Sequence, residues 1–380
     1  MSAKNGSMRS LRLLSCLIAV AVLGSALLAT SASATKAPLK PTAYIALGDS
    51  LSFGYKAATV AANATANKTH CEAGQIAAEK GEDELAYAEK ALCQPAASFE
   101  PGFVGYFAKK LAKTEKTAGN ALATVNLGCP GETSDGLIGH LLGGTEAEYE
   151  PCAYHNNLPT EAFPLKAELG HTTSQLEAAI SLITTKSAGE VTAVSLQIGS
   201  NDELHVIHKC ETLSYDAEHG FGTLNACIEH EAGPEGYAYE GGLFHHVLAN
   251  IGTTIGVLRE VGYTGKILVL GFYNPDATIL PGSDTLEKIL NENLEGLIAE
   301  GKFGPNLKVA QPFPLINPEA GAYHEGESTS ETAAKNKIEN KAICKYTEMC
   351  GSGKTPSNSG DIHPTKSGYT AIGKLMAAAF

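Results

Sequence analysis

The stretch Thr42-Ala43-Tyr44-Ile45-Ala46-Leu47-Gly48, followed at once by Asp49 and Ser50, decides how this chain is read. Its residues are apolar or β-branched almost throughout, without the polar alternation of a half-exposed strand. Such runs suit strands buried on both faces, the habit of a parallel sheet covered by helices. Comparable runs are LATVNLG at 122–128, VTAVSLQIG at 191–199 and KILVLGF at 266–272, with LKVAQPF at 307–313 a weaker fifth.

Helical patterns lie between these runs. From Thr172 a capping box of Thr172 with Gln175 is expected, followed by Leu176, Ile180 and Ile183 on one helix face. Residues 242–261 and 283–298 precede the fourth and fifth runs, and Tyr369, Ile372 and Met376 stand at helical spacing after His363. The alternation predicts an α/β fold: a three-layer α/β/α sandwich with a central parallel sheet of about five strands. Polar stretches at about 56–99, 134–170, 203–240 and 318–360 read as surface excursions from that frame, some forming walls over a site.

Residues 1–34 carry Lys4, Arg9 and Arg12, then an apolar run, then Ala32-Ser33-Ala34. That order is the one of a secretory signal, so cleavage near Ala34 and a secreted, extracellular protein are expected, with 35–380 as one elaborated domain. Cys16 precedes most of the apolar run, so lipid attachment there is not expected, nor is a stable membrane anchor once the signal is removed. The formal net charge is -13 and no stretch concentrates Lys or Arg, which argues against nucleic acid as a partner. A monomer is expected.

Of nine cysteines, the eight beyond Cys16 form an even set in an exported chain, which points to disulfides. Successive neighbours make the expected pairs: Cys71 with Cys93, Cys129 with Cys152, Cys210 with Cys227, and Cys344 with Cys350. Zinc is disfavoured because no CxxC pair occurs. His205 and His208 stand three apart without a defined third ligand, and adjacent His245 and His246 point to different sides of a helix. No metal and no organic cofactor are expected.

In a parallel sheet, ligands sit outside the carboxyl ends of the strands. There the first run ends in Gly48-Asp49-Ser50, the second in Asn126-Leu127-Gly128-Cys129-Pro130-Gly131, and the third in Gly199-Ser200-Asn201-Asp202; Asp361-Ile362-His363-Pro364 precedes the last helix. A serine hydroxyl needs a base to become a nucleophile, and His363 is the candidate. Each residue taken alone has a plainer reading: helix cap, turn glycine, Asx turn, surface histidine. Pro364 holds the residue before it in an extended conformation.

These four ordered blocks resemble the SGNH hydrolase superfamily, the GDSL esterases and lipases, through GDSLSFG, NLGCPGE, GSND and DIHP. The resemblance implies a flavodoxin-like hydrolase fold and a secreted serine esterase or lipase that cleaves carboxylic esters of small-molecule or lipid type through an acyl-serine. It implies Ser50 as nucleophile and His363 as base, with an oxyanion hole of the Ser50 N–H, the Gly128 N–H and the Asn201 amide. The family's usual aspartate lies three residues before the histidine, where this chain has Gly360. Asp361, two before, is expected to orient the imidazole, with the Gly360 carbonyl as the alternative. A carbohydrate deacetylase on the same fold and a non-catalytic binding protein are the competing readings; the absence of tryptophan tilts away from sugars.

Overall fold

The computed structural model describes residues 38–56, 80, 102–139, 174–213, 223–280, 282–318, 328–357 and 360–380. The expected signal segment 1–34, and Cys16, Cys71, Cys93 and Cys152, lie outside them.

In chain order the elements are β1 Lys40–Gly48, α1 Ser50–Phe53, α2 Gly102–Thr117, β2 Asn120–Asn126, α3 Ser134–Ile138, α4 Gln175–Thr185, β3 Glu190–Gln197, α5 Ser200–Leu213, α6 Leu224–Ala232 and α7 Gly242–Glu260. There follow β4 Lys266–Leu270, α8 Ser283–Ala299, β5 Leu307–Ala310, α9 Phe313–Ile316, α10 Thr329–Tyr346, β6 Thr347–Glu348, β7 Asp361–Pro364 and α11 Lys366–Ala379. All five long apolar runs are strands. They form one parallel sheet in the order β2-β1-β3-β4-β5. This is the flavodoxin-like order, with its switch point between β1 and β3, where the ligand crevice of such sheets opens.

Neighbouring side chains on each strand face opposite ways, so one strand feeds two cores. From β1, Ala43, Ile45 and Leu47 join Leu176 and Leu182 of α4, Val247 and Ile251 of α7, and Leu290 and Leu294 of α8. Tyr44 and Ala46 join Phe103, Phe107 and Leu111 of α2, and Tyr369, Ile372 and Met376 of α11, on the other face. The architecture is therefore a three-layer α/β/α sandwich. Tyr44 is fully buried, and its hydroxyl is satisfied by Ser195 Oγ of β3 at 2.7 Å. Among the described residues no helix is long and apolar enough to cross a membrane.

Two expectations about α4 are corrected. The helix expected from Thr172 starts later: α4 has Ser174 as its cap in a capping box with Glu177, and Gln175 is its first residue. Its buried face is Gln175, Leu176, Ala178, Ala179 and Leu182, with Ile180 and Ile183 only partly covered. The stretches at 203–240 and 318–360, read as surface excursions, contain the helices α5, α6 and α10. Each buries a few side chains, such as Val206, Cys210, Cys227 and Ile343, within an otherwise polar sequence, which hides the helical period.

Two expected disulfides join described residues: Cys210–Cys227 links α5 to α6, and Cys344–Cys350 closes the end of α10 onto the following turn. Cys129 is itself disulfide-bonded, and its partner lies outside the described residues.

Candidate active site

β1 ends in a turn too tight for a side chain. Gly48 has φ +143°, and a Cβ there would stand 2.0 Å from the Gln197 carbonyl oxygen of β3. Strand β1 can therefore run against the end of β3 only with glycine at this position. Asp49 then caps α1, its Oδ1 accepting the Leu51 N–H at 2.8 Å while Oδ2 accepts from Gln197 Nε2 at 2.9 Å. The Ser52 hydroxyl donates to the Leu47 carbonyl at 2.9 Å. With its neighbours on both sides fastened, Ser50 is the residue of the turn left partly open, and it lines a cavity.

His363 arrives from the far end of the chain on β7, which pairs antiparallel with β6. Its Nε2 lies 2.8 Å from Ser50 Oγ, across 313 residues of sequence. On the other side of the ring, Nδ1 lies 2.5 Å from Asp361 Oδ1, and the same oxygen accepts the His363 backbone N–H at 3.0 Å. The imidazole thus bridges a hydroxyl and a carboxylate, an arrangement that fixes both tautomer and ring direction. Gly360 is packed elsewhere: its N–H donates to the Ser357 carbonyl, and a Cβ on it would meet the Met349 carbonyl oxygen at 2.1 Å.

Three tyrosines hold this pair in register. The Tyr55 ring lies against His363 at 4.3 Å between centroids. The Tyr369 hydroxyl of α11 donates to the Tyr55 carbonyl at 2.8 Å, and the Tyr273 hydroxyl donates to the Ile362 carbonyl at 2.9 Å. Burial pushes the Tyr369 and Tyr273 phenols well above their ordinary range, so both remain donors.

The loop after β2 packs directly on the serine turn. A Cβ at Gly128 would stand 2.6 Å from the Phe53 nitrogen and 2.7 Å from Ser52 Cβ, so the loop reaches this position only with glycine. Asn126 Nδ2 donates to the Ser52 carbonyl at 2.8 Å, and its Oδ1 accepts the Gly128 N–H at 3.0 Å. The expected oxyanion donor at Gly128 is therefore engaged by Asn126. Asn201, in the first turn of α5, lines the cavity with Ser50 and His363, and one hydrogen of its amide goes to the Glu132 carbonyl at 2.8 Å.

Two buried residues behind the site, Gln175 and Glu132, were not expected there from sequence, which offered Gln175 only as a capping-box partner. Gln175 accepts the Gly48 N–H and donates to the Gly48 carbonyl, each at 2.8 Å, and its Nε2 also reaches Glu132 Oε2 at 3.0 Å. Burial raises the Glu132 carboxyl to about 8, with the nearby Asp202 and Asp49 adding to the rise. Burial likewise raises Asp49 and Asp202 to about 6 each; Asp202 receives the Ser134 hydroxyl and N–H at the start of α3. Glu132 closes the NLGCPGE word, but Gln175 lies far from every such word and its local sequence shows only the start of a helix.

His205 and His208 are exposed, and His208 pairs with Glu211 of its own helix. His246 contacts Asp135 Oδ1 at 2.9 Å and stacks on Tyr239, whereas His245 contacts the Glu240 carbonyl. No group of three or more metal-ligating side chains forms among the described residues.

No family model matches the chain, and no curated protein matches it. Solved structures do show likenesses. The lipase Lip_vut3 from a goat rumen metagenome is 15% identical with a TM-score of 0.40, covering 89% of this chain and 97% of the other. A protein described as a GDSL-like lipase from Parabacteroides merdae ATCC 43184 is 10% identical with a TM-score of 0.41, covering 90% and 97%. An extracellular lipase from Streptomyces rimosus is 11% identical with a TM-score of 0.36, covering 88% and 99%. At such scores these likenesses carry no weight for the chemistry, which stands on the chain's own atoms.

Proposed function

We propose that the protein is a serine hydrolase of carboxylic esters, of the SGNH type, working through an acyl-serine intermediate. The observation that carries this reading is the continuous Ser50–His363–Asp361 contact at the mouth of a cavity beside the β1/β3 switch point.

In the first half-reaction His363 Nε2 removes the Ser50 proton as Oγ attacks the ester carbonyl carbon. Asp361 stabilises the imidazolium that results. Negative charge gathers on the former carbonyl oxygen, where the Ser50 N–H and the second hydrogen of the Asn201 amide serve as donors. Gly128 joins them when its N–H is shared between Asn126 and the oxyanion. One such donor is worth on the order of 3 kcal/mol of barrier. Collapse of the intermediate breaks the bond to the alcohol oxygen, which takes the proton from His363. A water molecule then repeats the sequence on the acyl-serine, releasing the acid and restoring Ser50.

The cavity holds about 360 Å³ and is walled mainly by aliphatic side chains such as Leu204, Ile207, Leu243 and Leu286, which suits an acyl or lipid ester. The two disulfides support an exported protein working in an oxidising compartment. In this reading 35–380 is a single catalytic domain acting as a monomer once the signal segment is removed.

The test is hydrolysis of p-nitrophenyl butyrate combined with labelling by a serine-directed phosphonate. Ser50→Ala is expected to lose turnover and labelling while keeping its Tm. Undiminished turnover by that folded variant refutes the assignment.

A further inference from the structure

The strand that carries Asp361 and His363 stands apart from the main sheet. Among the described residues its one partner strand is β6, with Thr347 opposite Pro364 and Glu348 opposite Asp361. The backbone around β6 supplies further supports. The carbonyls of Lys345 and Tyr346 accept the Thr365 hydroxyl and N–H, each at 2.9 Å. The Met349 carbonyl accepts the Ser357 N–H at 3.2 Å and lies against Gly360. Ile362 packs with Ile343 and Met349 in a small apolar cluster separate from the two cores of the sheet. Residues 343–349 thus form the bed on which β7 lies, and the Cys344–Cys350 bridge clasps that bed across both ends of β6. Neither cysteine lines the cavity, and neither belongs to the cores of the sheet. The two bridges between described residues differ in access: Cys344 is partly exposed, whereas Cys210 and Cys227 are fully buried.

Resting on the hydrolase reading above, we propose that Cys344 and Cys350 are positioning residues for His363, and that opening their bridge lowers turnover while the protein stays folded. The bridge acts through backbone alone: it fixes β6, β6 fixes the register of β7, and β7 sets the reach of His363 Nε2 to Ser50 Oγ at 2.8 Å. That reach is exacting, since a misplacement on the order of 1 Å between reacting groups costs about a hundredfold in rate. Substrate binding belongs to the cavity wall and is left intact. A dithiol opens the bridge with atoms and electrons balanced. One of its thiolates attacks the bridge at Cys344, and its second thiol then resolves the mixed disulfide. The reagent leaves as a cyclic disulfide, and Cys344 and Cys350 become thiols. Exposed bridges react first, so Cys210–Cys227 persists in the folded protein.

The test compares the native protein, the double variant Cys344→Ser/Cys350→Ser, and native protein treated with dithiothreitol, with alkylation and peptide mapping to record which thiols are free. The double variant isolates this bridge from every other cysteine. With p-nitrophenyl butyrate, kcat is expected to fall at least about tenfold without the bridge, while KM stays within about twofold of native. Phosphonate labelling of Ser50 is expected to go to completion in every sample but more slowly without the bridge, which separates misplacement from unfolding. The low-field proton signal of the His363–Asp361 hydrogen bond is expected to weaken in step. A folded variant whose kcat stays within about twofold of native overturns the positioning role. So does a fall in rate that merely follows incomplete labelling. Where the variant does not fold, the mapped, reduced native protein decides by the same criteria. Native turnover that persists unchanged once the bridge is open removes only the positioning role. Absence of turnover and labelling in the native protein removes the hydrolase reading, and the proton signal, which needs no substrate, still decides whether the bridge holds His363.

Discussion

Gln175 grips both backbone polar groups of Gly48, accepting its N–H and donating to its carbonyl at 2.8 Å each. A side chain on the first turn of α4 thereby completes the hydrogen bonding of the strand end that presents Ser50. The same Nε2 reaches Glu132, whose carbonyl receives the Asn201 amide. The Ser50 turn, the loop after β2 and Asn201 are thus linked through Gln175 and Glu132.

Gln175→Ala removes these bonds and opens a buried, polar-lined void at a residue that is 1% exposed. The variant is expected to lose about 1–3 kcal/mol of stability for the orphaned groups of Gly48, read by urea denaturation. Its kcat for p-nitrophenyl butyrate is expected to fall further than that of an exposed control such as Lys288→Ala. A variant as stable and active as the native protein sinks the tethering role.

Glu132 makes a pH-dependent contribution to stability. Its carboxyl titrates near 8 in the folded protein against 4.5 as its ordinary value, so between these limits the folded state keeps a proton that the unfolded chain has lost. Stability therefore falls as pH rises from about 4.5 to about 8 and levels off above. Glu132→Gln keeps an acceptor for Gln175 and cannot ionise. It is expected to match the native protein near pH 4.5 and to exceed it at pH 8 by on the order of a few kcal/mol. Parallel stability curves for the two proteins count against this assignment.

Asp361→Asn preserves the shape of the residue that holds His363 and removes its charge. The expected loss in kcat is large, up to about four orders of magnitude where an aspartate fixes the tautomer and stabilises the imidazolium. Stability is expected to change little, because Asp361 is only partly buried. A rate within a few-fold of the native one transfers the orienting role to the Gly360 carbonyl.

The Cys210–Cys227 bridge joins the two helices that contribute Glu203, Leu204 and Ile228 to the cavity. Replacing both cysteines by serine is expected to cost about 3 kcal/mol for a loop of this length. Thermal unfolding with and without a reductant checks it. A reductant-insensitive Tm in the native protein contradicts a stabilising bridge.

Much of this fold was legible before any coordinates. The runs ending at Gly48 and Gly199 are largely apolar because their strands are inner ones covered by helices on both sides, and such burial leaves its mark in composition alone; the run ending at Gly128 is the edge strand β2, of which only Val125 is buried. Tyr369, Ile372 and Met376 were equally readable, since a helix that covers a sheet repeats its apolar residues with its own turn. α5, α6 and α10 were obscured because each buries too few side chains for that period to stand out. The start of α4 was misplaced because Thr172 with Gln175 and Ser174 with Glu177 satisfy the same capping pattern. Only packing shows that Gln175 turns inward to Gly48.

Local sequence determined the pieces: where buried strands end, which glycine permits each sharp turn, and which hydroxyl and imidazole are chemically suited to react. Tertiary structure decided the distances. Ser50 and His363 meet because β1 is an inner strand, flanked by β2 and β3, and β7, which leads into α11 beside α2, brings His363 to the end of β1. Hydrogen bonds and charge pairs depend on separations of a few ångströms, and those separations are set by how layers pack, which no single stretch of chain encodes.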